Sequence, residues 1–415
     1  MPAFHFPSRS VRILQVCSRV PFPPHDGGAI AMYDVAAGLA RQGHAVTVLA
    51  INTPKHFQAA DVLAHLPGVR LVTVPVDTRL SPVKALKNLL VGTMPYNVER
   101  FVSPAVADRL TGLLRDEQFD VVQMEGTFVA WYVDVVRRVA PTVPVVLRAH
   151  NLEYTIWQML AARELNPLKR FYLAHLAKGL KKFEEHYLGR FDAVAAITEP
   201  DQRRLRALGC PEPVVFVPAG VDMSRFRPDA ARQARPRTLF MIGSLNWLPN
   251  LEGLDWFLRE VWPAVHGKMP DLELHLAGKD TPARIQQLGL KNVFVHGFVE
   301  SAAAFMQQYE LMLVPLLSGG GMRIKIIEGM ALGKCVISTG LGSEGIFVRN
   351  GHDIILCDEP SEWVSRIESY YRGGLGHAAI GQEAARTIAR LYDNRRVVES
   401  FLDLYRIVSR RVQSA

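Results

Sequence analysis

Short β-branched runs alternate with stretches of helical periodicity along most of the chain. Apolar runs at 11–16, 45–50, 69–74, 121–123, 145–147, 193–197 and 214–217 are predicted as strands, because Val, Ile and Leu bounded by turn residues suit strands buried on both faces. Most lead into helical stretches such as 29–41. After Pro228 the polar, proline-bearing segment PDAARQARPR interrupts the pattern, and it then restarts. Strands are predicted at 238–242, 272–277, 293–296, 311–314, 335–338 and 354–356, with helices at 250–265, 324–332 and 360–371. The last of these opens on a proline, which suits a first helical position. Continuous apolar strands separated by helices predict an α/β protein of two doubly wound parallel sheets in tandem, with a linker near 228–237.

Composition narrows the class. With 415 residues and 49% hydrophobic content the chain is large enough for two real cores. Cysteines 17, 210, 335 and 357 form no CxxC pair, so neither a zinc site nor a disulfide framework is expected, and a reducing cytosol fits. The N-terminal segment lacks a leader's apolar run, and no stretch has the ~18 apolar residues of a membrane span. The expected location is cytoplasmic, extending to the inner face of the cell membrane. A net charge of +8 is modest for this length and no nucleic-acid partner is expected. Cations do cluster: between 163 and 190 there are seven Lys or Arg (163, 169, 170, 178, 181, 182, 190) against three Glu (164, 184, 185). From Lys169 to Lys182 they interleave with Phe171, Tyr172, Leu176 and Leu180. That pattern fits either a solvated face packed on the sheet or a peripheral patch for anionic lipid.

In open parallel sheets, ligands sit at the carboxyl ends of strands, in loops that lead into helices. Two glycine-rich loops lie there, one in each half. The first carries Gly27 and Gly28; the second is SGGGMRIKIIEGMALG at 318–333. Arg323 and Lys325 in the second stand where a helix begins, and a cation at that positive end is disfavoured by about 0.3–1 kcal/mol. An anion removes the conflict. Backbone N–H groups of Gly319, Gly320, Gly321 and Met322, with Arg323 and Lys325, make a candidate phosphate site. The simpler alternative is a surface turn in which Lys325 pairs with Glu328. Neither loop is a GxGxxG or a GxxxxGK[ST], which argues against a nicotinamide site and a P-loop.

Taken in order, GGAIAMYDVAAGLARQGHAVTVL, RAHNLEY, ITEPDQRRL, FVPAGVDMSRFRP, LFMIGSLNWLPNLEGLDWF, LELHLAGKD, VFVHGFVE and VPLLSGGGMRIKIIEGMALGKCVISTGLGSEGI resemble the retaining glycosyltransferases of family four, over nearly the whole chain. The resemblance implies the GT-B fold: two Rossmann-like domains facing across a cleft, an acceptor-side domain at 1–228, a nucleotide-sugar domain at 229–394, and a last helix at 395–415 returning to the first. It implies transfer of a sugar from a nucleotide-diphosphate donor to a glycan or lipid-linked glycan, with retained configuration, without a cofactor and without a metal. Residue by residue, Glu328 matches the glutamate that bonds the ribose, and Gly27 and Gly28 match the loop beside the donor phosphate and sugar. His150 matches the histidine near the reacting sugar, and Phe298 and Val299 lie in the base-contacting loop.

Three departures accompany the match. Gly320 stands where relatives commonly carry a first glutamate eight positions before the one at Glu328. The loop GSLNWLPN has no cation where they carry an Arg and a Lys, and Ala219 replaces a usual asparagine. The first two leave Arg323 and Lys325 as the charges for the diphosphate. A front-face mechanism is implied, in which the leaving phosphate helps deprotonate the acceptor. Glu125, at the end of another strand, is a candidate acceptor or sugar contact, or a dipole partner for the segment after it. Glu344 in GSEGI is a candidate for the donor sugar or a ribose hydroxyl, or a turn residue. His25 and Asp26 are loop candidates, and Asp222 and Arg225 read as hinge structure. The missing glutamate and cations also motivate a catalytically silent nucleotide-sugar-binding protein, and the fold is shared by nucleotide-sugar 2-epimerases.

Overall fold

The computed structural model describes residues 10–210, 213–229 and 233–414. Residues 1–9, read above for a leader, and 230–232 of the expected linker lie outside the described residues. The chain divides into two compact units: residues 10–24, 28–218 and 397–414 form one, and residues 25–27 and 219–396 the other.

The first unit is a seven-stranded sheet built from β1 (Arg12–Cys17), β2 (Ala45–Asn52), β3 (Val69–Pro75), β4 (Val121–Glu125), β5 (Val145–Ala149), β6 (Ala193–Ala196) and β7 (Val214–Phe216). The order is β3-β2-β1-β4-β5-β6-β7 and every pairing is parallel. Because successive strand residues point to opposite faces, each apolar run feeds two cores. Leu14, Val16, Val122 and Met124 join one buried cluster, while Ile13, Cys17, Val121 and Val146 join the other. That second face is covered by the last helix, Asn394–Ser414, whose Val397, Val398, Phe401, Leu404, Tyr405 and Val408 are buried in the same cluster.

The second unit holds β8 (Arg235–Ile242), β9 (Glu273–Ala277), β10 (Val293–Gly297), β11 (Tyr309–Val314), β12 (Cys335–Ser338) and β13 (Ile355–Leu356), in the order β10-β9-β8-β11-β12-β13, again all parallel. Leu239, Leu311, Leu313 and Ile337 face one core and Phe240, Met312, Val314 and Val336 the other. The two parallel α/β sheets predicted from the alternation are therefore present.

Two local readings change. The helix predicted at 250–265 is interrupted: Leu248–Trp256 passes through a π-turn at Phe257–Val261 before Trp262–Lys268, with Trp262 N–H donating to the Phe257 carbonyl. The widened turn adjoins Pro263, which has no N–H for the regular ladder. The basic segment falls in the helix Pro167–Leu188, where Leu176 and Leu180 are core residues rather than members of a lipid-facing stripe, while Phe171 is exposed.

Candidate functional site

In the second unit, β11 delivers the chain into the glycine loop, which ends at the helix Ile324–Ala331. Gly319 (φ +103°) and Gly321 (φ +76°) occupy the left-handed region that side chains disfavour. At Gly319 a Cβ would also lie 3.0 Å from Cη2 of Trp247 and 3.2 Å from Cγ of Pro249. The indole thus packs directly on the glycine backbone, and the Arg323 guanidinium lies over its ring, 5.8 Å from the centroid.

Arg323 and Lys325 have parted roles. Arg323, 5% exposed, donates from Nη1 to the carbonyls of Gly320 and Gly321. It braces the loop from behind, where the left-handed glycines turn those two carbonyls toward it. Lys325 is half-buried, and its Nζ donates to Asn250 Oδ1 at 2.7 Å. Asn250 is itself held by a 2.8 Å bond from Nδ2 to the Ser244 carbonyl. Burial, and secondarily Arg323, push the Lys325 ammonium down to about 7. No acidic residue lies in the helix's first turn. Two cations and the positive end of a helix therefore converge on one loop, and among the described residues Lys325 makes no ion pair to offset them. In place of the surface-turn pairing with Glu328, the bond Lys325 makes is to Asn250, and Glu328 is 7% exposed on the helix's buried side.

In the first unit, His150 follows β5 directly and keeps 16% side-chain exposure. Its Nε2 bonds Glu125 Oε2 at 2.6 Å. Glu125, a candidate acceptor or sugar contact in the sequence, has a fully buried carboxylate. Its Oε1 accepts from Gln15 Nε2 (2.6 Å) and Gln123 Nε2 (2.5 Å), and the Arg148 Nη1 lies 3.7 Å from Oε2. Burial pushes the carboxyl up, but Arg148, then His150 and Gln123, outweigh it and hold it below its ordinary value. Arg148, wholly buried, also donates to the Ala31 carbonyl at 2.7 Å and lies 5.2 Å over the Phe401 ring. Tyr405 donates to Gln123 Oε1. The last helix thus closes a polar chain, Tyr405–Gln123–Glu125–His150. A neutral imidazole that donates from Nε2 to Glu125 presents Nδ1 as an acceptor.

The segment after His150 is fixed separately. Glu184 accepts from the N–H groups of Glu153 (2.9 Å) and Tyr154 (3.2 Å), the first turn of the helix Glu153–Arg163, and from Thr127 Oγ1 (2.9 Å). Burial raises its carboxyl to about 7.

Of the other predicted residues, Gly27 and Gly28 are the first two residues of the helix Gly27–Arg41, whose first turn carries no acid. Phe298 is 53% exposed, one residue past Gly297 (φ +67°), while Val299 and Met322 are packed against the core of the second unit. Glu344 is half-buried in the turn after β12, its N–H donating to the Leu341 carbonyl at 3.2 Å. Asp222 accepts from Ser224 N–H and Oγ (3.0 and 2.6 Å) and shapes a turn. Trp247, Asn250, Gln15, Gln123, Arg148 and Tyr405 went unnoticed in the sequence. The one available signal was polar residues inside otherwise apolar strands: Gln15, Gln123 and Arg148. Among the described residues no cluster of three or more His, Cys, Asp or Glu is placed to hold a metal ion.

Residues 25–225 match the family model described as Glycosyltransferase Family 4, and residues 236–372 the one described as Glycosyl transferases group 1. A Klebsiella pneumoniae relative, described as an uncharacterized 44.6 kDa protein in cps region, is 23% identical over 399 residues, spanning 94% of this chain and 98% of its own. Sucrose-phosphate synthase from Thermosynechococcus elongatus superposes with a TM-score of 0.71 at 16% identity, over 96% of this chain and 99% of that one. HepE of Anabaena, solved with UDP-glucose, gives 0.65 at 16% identity over 97% and 100%. At such identities the structural likeness is one of fold, the GT-B fold.

Proposed function

Because this chain belongs to the glycosyltransferases of group 1 and family 4, we propose that it moves a hexose from a nucleotide-diphosphate donor to a glycan or lipid-linked glycan, with retention of configuration. The observation that carries the reading is the convergence of Lys325, the buried Arg323 and a helix N-terminus on a glycine loop, an arrangement suited to a diphosphate. HepE, a protein of the same fold, was solved with UDP-glucose, which makes UDP-sugars the first donors to try.

In this reading the second unit holds the donor. Lys325 and the N–H groups of the loop take the diphosphate, with Arg323 keeping the loop in shape. Glu328 bonds the ribose, Glu344 a sugar or ribose hydroxyl, and Phe298 with Val299 borders the base. The first unit acts on the transferred sugar, through the helix opening on Gly27 and Gly28 and through His150. With Nε2 tied to Glu125, His150 Nδ1 accepts from a sugar hydroxyl and orients the ring. As the bond from C1 to the phosphate oxygen breaks, that oxygen takes the acceptor's proton. The new bond from C1 to the acceptor oxygen forms on the same face. Positive charge at the loop stabilises the departing diphosphate as its charge develops.

Incubation with UDP- and GDP-sugars separates the readings. Transfer or donor hydrolysis supports the proposal. Inversion at C2 would identify an epimerase, and binding without turnover a silent nucleotide-sugar-binding protein.

A further inference from the structure

The helix Pro82–Val91 has no buried residue. Val83 (79% exposed), Leu86 (58%) and Leu90 (73%) recur at i, i+3 and i+7, so they share one face, extended by Leu80 (75%) and Val91 (70%). The helix contains no acid, and Lys84 and Lys87 flank the apolar face. A second such element lies in the turn before and at the start of the helix Pro167–Leu188. There Leu165 (95%), Leu168 (81%) and Phe171 (66%) are exposed beside Lys169 and Arg170.

The fold brings these segments to one side of the first unit. Ser81, which caps Pro82–Val91, exchanges two bonds with Tyr96, its N–H donating to the phenol oxygen at 2.9 Å and its carbonyl accepting at 3.2 Å. Arg100 lies over the Tyr96 ring, 5.8 Å from its centroid, and Tyr172 of the helix Pro167–Leu188 is near enough to interact electrostatically with both. Pro95 lies against Gly179 further along that helix. The two neighbouring segments thus present eight exposed large apolar side chains with cations beside them, Lys169 also pairing with Glu164 at 3.5 Å.

We propose that this surface seats the protein on an anionic bilayer, with the aliphatic side chains entering the headgroup and acyl boundary and Lys84, Lys87, Lys169 and Arg170 meeting lipid phosphates. The charge pattern selects this occupant. A face that carries aliphatic side chains flanked by cations, with no acid in Pro82–Val91, matches an interface that is apolar beneath and negative above. Among the described residues no helix is long and apolar enough to cross a membrane, so the contact is peripheral. It does not depend on the proposed transfer reaction, and it shifts the lipid-facing region from Lys169–Lys182 toward Leu165–Phe171 and Pro82–Val91.

Flotation of the full chain with phosphatidylcholine vesicles, with and without phosphatidylglycerol, tests it. The wild type should float with the anionic vesicles, less so as salt is raised. L86D/L90D should lower partitioning at least ten-fold, and K84E/K87E should remove the preference for phosphatidylglycerol. All four positions project into solvent, so thermal midpoints and donor turnover in solution should stay at wild-type values, which distinguishes lost docking from lost folding or activity. Absence of flotation, or flotation unchanged in both variants, overturns the proposal. So does a wild-type dimer by light scattering that L86D/L90D dissolves while vesicle binding is absent, which would assign the face to a second copy of the chain.

Discussion

Replacing Glu125 by Gln removes one charge from the interior of the first unit and changes almost no volume. Arg148 is wholly buried there, and the Glu125 carboxylate lies 3.7 Å from its Nη1. Its Nε and Nη2 have no hydrogen-bond partner among the described residues, so the carboxylate offsets much of the cost of burying that cation. Breaking a buried pair by removing one partner costs about 3–5 kcal/mol. At about 2–4 °C per kcal/mol for a domain of this size, E125Q should lower the thermal midpoint by roughly 6–20 °C at pH 7. The pH dependence has a definite sign. A carboxyl held below its ordinary value stabilises fully above that value, and the contribution is lost as pH falls through the folded-state pKa. The gap between wild type and E125Q should therefore be complete at neutral pH and shrink only in acid. Adding R148M should recover most of the lost stability, because it removes the unpaired charge. Scanning calorimetry of the three variants from about pH 3.5 to 8, together with kcat for E125Q under conditions where it is folded, checks this. A midpoint within about 2 °C of wild type at pH 7, together with unchanged kcat, would refute the view that Glu125 both neutralises Arg148 and orients His150.

Three further outcomes follow from the glycine loop. Burial holds Lys325 near 7, so an arriving diphosphate should raise its pKa and draw in a proton. Calorimetry in two buffers should show uptake approaching one proton per nucleotide at about pH 8, little at about pH 6, and none in K325A. G319A forces a Cβ into the left-handed region 3.0 Å from Trp247, so its Kd for the nucleotide, read by thermal shift, should rise about ten-fold or more. G112A, at a half-buried helical position where an added Cβ meets nothing within 4 Å, should bind as wild type. Because the proposed site meets the diphosphate with Lys325 and backbone N–H groups, turnover should survive EDTA; loss of activity restored by added divalent cation would contradict that assignment.

Both sheets were legible in the sequence because each strand is a continuous apolar run, and the place of the glycine loop after β11 was legible because a parallel sheet sends the chain from each strand end into a helix. The occupants of the two faces were not. Gln15, Gln123 and Arg148 could be seen as polar interruptions, yet only the fold shows that they share the face sealed by Phe401 and Tyr405, and that this seal buries Glu125 beside His150. The loop GSLNWLPN was noticed for the cations it lacks, whereas its structural contribution is neutral. Trp247 packs on Gly319, and Asn250 holds Lys325. The setting of Arg323 is not legible either: a cation before a helix suggests an anion beyond it, and only the fold shows the left-handed glycines turning two carbonyls back toward the side chain. The helix Pro82–Val91 has ordinary amphipathic spacing, and nothing in its sequence shows that its apolar face lacks a partner in the fold.

The central claim, that a nucleotide-diphosphate sugar is turned over at the loop holding Lys325, is tested most directly by nucleoside diphosphate release from a panel of UDP- and GDP-sugars, comparing wild type with K325A. The account predicts release from at least one donor by the wild type, with kcat/KM about ten-fold or more lower in K325A, equivalent to roughly 1.4 kcal/mol of transition-state stabilisation. Release at the same kcat/KM in both proteins, or from no donor by the wild type, would contradict it.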